Sequence, residues 1–133
     1  MNRAEREVTA LMATPKWQQE AQALLELLNE HCDTTITIRF TTAQRGQANL
    51  THNRFSIPEH APTKGEAYLY YYVIHEFTHC LGFWEHDQSF KKKEQSLLIL
   101  FGIKIEYSRA YPRALYANGE RVYTIPEWRR ITC

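Results

Sequence analysis

The segment His75-Glu76-Phe77-Thr78-His79 sets two imidazoles four residues apart, with a carboxylate directly after the first. On an α-helix, side chains four apart stand almost above one another, so His75 and His79 can face a single ion. Zinc accepts imidazole nitrogen at about 2.0–2.1 Å in tetrahedral geometry. Glu76 follows His75 by about 100° around the helix. That is too far round for an easy third ligand, but it can reach a water held by the ion. This is the general-base position of a zinc hydrolase.

A catalytic zinc takes a third protein ligand and keeps one position open. Gly82 is placed to end the helix and turn the chain back, which brings Glu85, His86 and Asp87 into range. His86 is the favoured third ligand. A neutral imidazole leaves the ion's charge undiminished and so helps to acidify a bound water toward a pKa of about 7. Glu85 is its rival, and Asp87 is left to orient a ligand or to cap the next helix.

An HExxH run also arises by chance, and the plainer alternative is a pair of surface histidines beside a solvated acid. The helical context, a capping signal upstream, a glycine stop and a further histidine together favour the metal. Tyr68, Tyr71 and Tyr72 fall on or near the histidine face and are expected to pack there. Cys80 reads as a small buried residue. Lys91-Lys92-Lys93 and Arg129-Arg130 read as solvated charge, and His31, His52 and His60 sit in expected caps or loops without an assigned role.

The element that must carry the site is a helix over residues 65–81. Thr63-Lys64-Gly65-Glu66 has the form of a capping box ahead of it, and Ala67, Tyr70, Ile74, Phe77 and Leu81 form its core-facing stripe. Before it, the spacing of Ala21, Leu24, Leu25 and Leu28 predicts a helix over residues 15–30, capped by Thr14 with Pro15 in the first turn. A further short helix is expected over residues 3–13. The alternation of Ile36, Ile38 and Phe40 predicts a strand, and residues 47–50 and 54–57 read as a hairpin that ends at Pro58. After the site, residues 89–101 read as a helix with Phe90, Leu97, Leu98 and Leu100 apolar. The tail alternates as strands do around Asn118-Gly119, a strong hairpin signal, and Pro126-Glu127-Trp128 marks a terminal turn. The expected fold class is α+β, with a small antiparallel sheet on a central HExxH helix, flanking helices and a β-rich tail.

Length and charge narrow the function. The chain has 133 residues, 44% hydrophobic and 23% charged, the size of one domain spanning residues 1–133. With Lys+Arg 16 against Asp+Glu 15 the net charge is +1, which argues against a broadly basic nucleic-acid wrapper and a polybasic membrane anchor. No run reaches the ~18–20 apolar residues that cross a bilayer, so no membrane partner is expected. The start, MNRAEREV, lacks the apolar core of a secretory signal, and the three cysteines form no CxxC pair. A reducing compartment follows, and the expected location is cytoplasmic.

His75-Glu76-x-x-His79, followed by His86-Asp87-x-x-Phe90, resembles the SprT-like and WLM-like zinc metallopeptidases. The lead-in is similar as well: Gly46 through Ile57, then a proline-containing loop, then Tyr72-Val73-Ile74-His75. The likeness spans roughly residues 40–90. It implies a minimal zincin domain with Zn2+ held by His75, His79 and His86, and with Glu76 as catalytic base. The implied reaction is peptide-bond hydrolysis by metal-activated water. It also implies an extended protein or peptide substrate lying along an edge strand formed by residues 47–57. An oxyanion donor is expected from the tail, with Tyr107, Arg109 and Tyr111 as candidates. Some members act on protein crosslinked to DNA through accessory modules. This sequence shows no such module, so nucleic acid is a secondary expectation. The gap from His79 to His86 is one residue longer than in the nearest bacterial patterns.

Two other functions compete. One is a non-catalytic zinc-binding adaptor on the same scaffold. The other is a YbeY-type metal-dependent endoribonuclease, which also presents three histidines with glycine in the return loop. Those enzymes carry no glutamate after the first histidine, whereas Glu76 stands here, and a net charge of +1 gives little counterion-release drive toward RNA.

Overall fold

The computed structural model describes residue 2, residues 14–108 and residues 111–124. The expected first helix over residues 3–13 and the terminal turn at Pro126 lie outside the described residues.

Helix α1, Lys16–Cys32, buries Ala21, Leu24, Leu25 and Leu28 as one stripe, in agreement with the sequence periodicity. Thr14 does not cap it: Pro15 occupies the cap position, and its carbonyl accepts from the Gln18 and Gln19 amides. The chain leaves α1 through Asp33 in the left-handed region. Asn29 then fixes the turn into β1, as its side chain donates to the Ile36 carbonyl and accepts from the Ile36 amide and the Thr34 hydroxyl.

The first sheet departs from expectation. Strands β1 (Thr37–Thr41), β2 (Ala48–Asn49) and β3 (Arg54–Pro58) lie in the order β1-β3-β2. β2 and β3 form the anticipated antiparallel hairpin, but β1 runs parallel to β3, with Ile38 opposite Phe55 and Phe40 opposite Ile57. The sheet is therefore mixed, not antiparallel. β3 is the most apolar of the three, with Phe55, Ile57 and Pro58 buried, and it takes the centre. Residues 47–57 are not one edge: only β2, two residues long, lies at the rim.

A 3-10 turn, Ala61–Lys64, leads into helix α2, Glu66–Cys80. The capping box does not form. The Thr63 hydroxyl donates back to the His60 carbonyl, and Gly65, at a positive φ of 102°, holds the cap position with no side-chain cap bond. α2 is also no amphipathic surface helix. Every residue from Tyr71 to His79 is buried, while Ala67, Tyr70 and Leu81 of the expected stripe are only half-buried. α1, the first sheet, the following helix and the tail strands all pack against it, so burial runs around its circumference and takes in His75, Glu76, Thr78 and His79.

Helix α3, Gln88–Ile99, buries Phe90, Leu97 and Leu98 but leaves Leu100 exposed beyond its end. A second sheet of β4 (Ile103–Ser108), β5 (Tyr111–Ala117) and β6 (Glu120–Thr124) is an antiparallel meander. Asn118 and Gly119 both have positive φ, 54° and 80°, as a two-residue hairpin of primed type requires. The architecture is α+β, with three helices among the described residues, two small sheets, and α2 at the centre.

Candidate metal centre

His75, Glu76 and His79 lie in the last two turns of α2, where no side chain can escape to solvent easily. His75 is 4% exposed, His79 6% and Glu76 0%. α2 ends at Cys80 with Leu81 as its C-cap, and Gly82 adopts φ 108°, a left-handed turn for which glycine carries no steric cost. The chain then reverses. The Asp87 carboxylate accepts from the Phe90 amide at 3.0 Å and caps α3, which sets His86 immediately outside the new helix.

The three imidazoles converge. His86 Nε2 lies 3.1 Å from His75 Nε2 and 3.0 Å from His79 Nε2. One ligand atom from each of the three residues falls within 4.8 Å of the others. Ligand nitrogens on a tetrahedral zinc with bonds of about 2.0–2.1 Å stand about 3.3–3.4 Å apart, close to the spacings here. Glu85 is exposed and outside this cluster, so His86 is the side chain on the return loop that joins it. Asp87 serves as the helix cap.

The other face of each α2 imidazole shows why the Nε2 atoms suit a cation. His75 Nδ1 lies 2.5 Å from the Glu94 carboxylate, and His79 Nδ1 lies 2.8 Å from the Phe83 carbonyl. Both partners only accept, so both Nδ1 atoms carry hydrogen. A neutral imidazole protonated at Nδ1 presents a lone pair at Nε2. Two such lone pairs point at His86 Nε2, which can supply at most one hydrogen. A cation between them satisfies all three nitrogens together. Phe90 lies against the set, its ring 4.9 Å from His75, 4.7 Å from His79 and 5.0 Å from His86, centroid to centroid. An apolar ring there keeps water from one side and strengthens charge interactions in the site.

Burial pushes the Glu76 carboxyl up to about 7, with His75 opposing the rise and Glu94 adding to it. Burial and the Glu94 carboxylate hold the Tyr71 and Tyr107 hydroxyls well above the usual phenol range, so both remain protonated. Cys80 is also pushed up, to about 12, mainly by burial, and its thiol donates to the Arg54 carbonyl at 3.4 Å. It stays a neutral thiol outside the cluster, half-buried where the sequence suggested full burial.

Glu94 was not singled out from the sequence. It is fully buried on α3, bound to His75 on one side and to the Tyr107 hydroxyl on the other. The available signal was an acid on an apolar stripe: Phe90, Glu94, Leu97 and Leu98 share one helical face. Of the three tail residues considered as oxyanion donors, Tyr107 is engaged with Glu94. Arg109 and the side chain of Tyr111 lie outside the described residues. Tyr68, Tyr71 and Tyr72 pack in the core, where the Tyr72 hydroxyl accepts from the Gly46 amide at 2.9 Å.

No protein family, curated protein or solved structure matches this chain. Among the described residues no helix is long and apolar enough to cross a membrane.

Proposed function

We propose that this protein is a zinc-dependent metallopeptidase on a zincin-like scaffold, with His75, His79 and His86 as metal ligands and Glu76 as general base. The observation that carries the reading is the convergence of three imidazole Nε2 atoms, two of them committed as lone-pair donors by the partners of their Nδ1 atoms. Three neutral imidazoles suit zinc, and three protein ligands leave a fourth position for the reaction. Zinc there would acidify water toward neutrality and polarise a carbonyl.

The chain's own residues supply the rest. Glu76 follows His75 directly on α2, is fully buried, and has its carboxyl pushed up to about 7, so it can exchange a proton near neutral pH. It would take the proton of the attacking water and return it to the leaving amine. Phe90 holds the three imidazoles against an apolar wall. Among the described residues the short strand β2 lies at the rim of the sheet beside α2, where an extended peptide could pair through its main chain.

The test is cleavage of an unfolded protein substrate by zinc-loaded protein, by chelator-treated protein and by Glu76→Gln. The proposal expects cleavage only in the first, with Glu76→Gln still holding zinc. Cleavage by Glu76→Gln would remove it as base. Zinc binding without cleavage by the native chain would leave the adaptor function in its place.

A further inference from the structure

Glu94 stands behind the metal ligands. Its Oε2 faces His75 Nδ1 at 2.5 Å, on the side of the ring away from the converging Nε2 atoms. It is therefore not a fourth ligand, since it binds the nitrogen that the ion does not. Its other oxygen accepts from the Tyr107 hydroxyl of β4. The Lys91 ammonium lies over the Tyr107 ring, 5.4 Å from its centroid. Glu94 itself is 0% exposed. A buried carboxylate is costly unless paired, and here both oxygens have partners.

Stability alone does not account for this placement. The residues sharing the inner face of α3 are Phe90, Leu97 and Leu98, and a leucine at position 94 would fill the same space with no charge to desolvate. What a leucine could not do is accept from His75 Nδ1. That bond sets which nitrogen of His75 carries hydrogen, fixes the ring's rotation, and makes the opposite nitrogen more basic.

We infer that Glu94 is a positioning residue for the metal centre, and that Tyr107 holds Glu94 in place, so that the tail sheet helps to set metal affinity through a Tyr107–Glu94–His75 chain of hydrogen bonds. This rests on the metal reading above and adds to it: α2 and its return loop supply the histidines, while α3 and β4 supply the groups that tune one of them. Outer partners of this kind are worth about 10–100-fold in metal affinity.

Zinc affinity by chelator competition, the visible spectrum of the cobalt(II)-substituted protein, and the melting temperature of the metal-free protein test it on the native chain, Glu94→Gln, Glu94→Leu and Tyr107→Phe. The expected result is about 10–100-fold weaker zinc binding in Glu94→Leu. Glu94→Gln, which keeps an acceptor for Nδ1–H, should lose less, and Tyr107→Phe less again. The cobalt bands should shift in the same order; the metal-free forms should also melt lower, since each variant leaves a buried polar group without its partner, so affinity and spectrum decide. A merely structural glutamate would leave affinity and spectrum as in the native chain whatever the change in melting, which would overturn the inference. Tyr107→Phe keeps the test decisive if a Glu94 variant does not fold. A native chain that takes up neither zinc nor cobalt overturns the metal reading, and the inference with it. Tight native binding with unchanged variants overturns the inference alone.

Discussion

His75 and His79 each turn Nδ1 toward an acceptor and Nε2 toward His86. On the proposed metal centre, removing either ring takes away one ligand and leaves its acceptor partner buried, so His75→Ala should lose zinc by a larger factor than any outer-partner substitution, as read by chelator competition. That His75 and His79 face one point was legible in the sequence because helical spacing fixes i and i+4 on one face whatever surrounds the helix. His86 was legible through the glycine stop. Glu94 was not, because its role depends on how α3 lies against α2, which spacing does not encode. Tyr68 gives an independent prediction. Its hydroxyl is buried, with no hydrogen-bond partner among the described residues, and burial raises its ionisation well above the usual phenol range. Tyr68→Phe should stabilise the protein by about 1 kcal/mol in urea unfolding at neutral pH. A phenol with raised folded pKa contributes stability below the unfolded value of about 10 and loses it as pH rises further, so the gain should widen above pH ~10.

At the scale of elements, the lengths of α1 and α3 and the tail hairpin follow from local rules: an apolar stripe, an Asp cap, and an Asn-Gly turn with both residues at positive φ. Two elements escaped those rules. The capping box before α2 gave way to a 3-10 turn because Gly65 already supplies the turn, and the Thr63 hydroxyl binds His60 instead. The parallel pairing of β1 with β3 is a long-range choice, driven by placing Phe55 and Ile57 at the sheet centre over α2. Gly46 shows how tightly that sheet meets the helix. A Cβ there would lie 2.2 Å from the Ser56 carbonyl oxygen and 2.9 Å from a Tyr72 ring carbon. Gly46→Ala should cost about 1–3 kcal/mol, since backbone must move to admit it, and the urea midpoint should fall accordingly. An unchanged midpoint would mean that the loop before β2 sits elsewhere in solution.

Across the whole molecule, α2 is enclosed by α1, the mixed sheet, α3 and the tail meander, and its last two turns present the histidines to a loop that returns over them. Folding therefore brings the three imidazoles together, and an ion bound among them must stabilise the folded chain. At a free zinc concentration 100 times the dissociation constant the linkage is worth about 2.7 kcal/mol, a rise in melting temperature of several degrees for a domain of this size. Protons compete for the same lone pairs, so the rise should shrink as pH falls, which calorimetry with and without zinc would read.

The most direct measurement is the metal content of the natively purified protein and of two loop variants, His86→Ala and Glu85→Ala. One zinc per native chain is expected, retained in Glu85→Ala and lost or sharply reduced in His86→Ala. No bound metal in the native chain, or equal metal in both variants, would contradict the three-histidine centre.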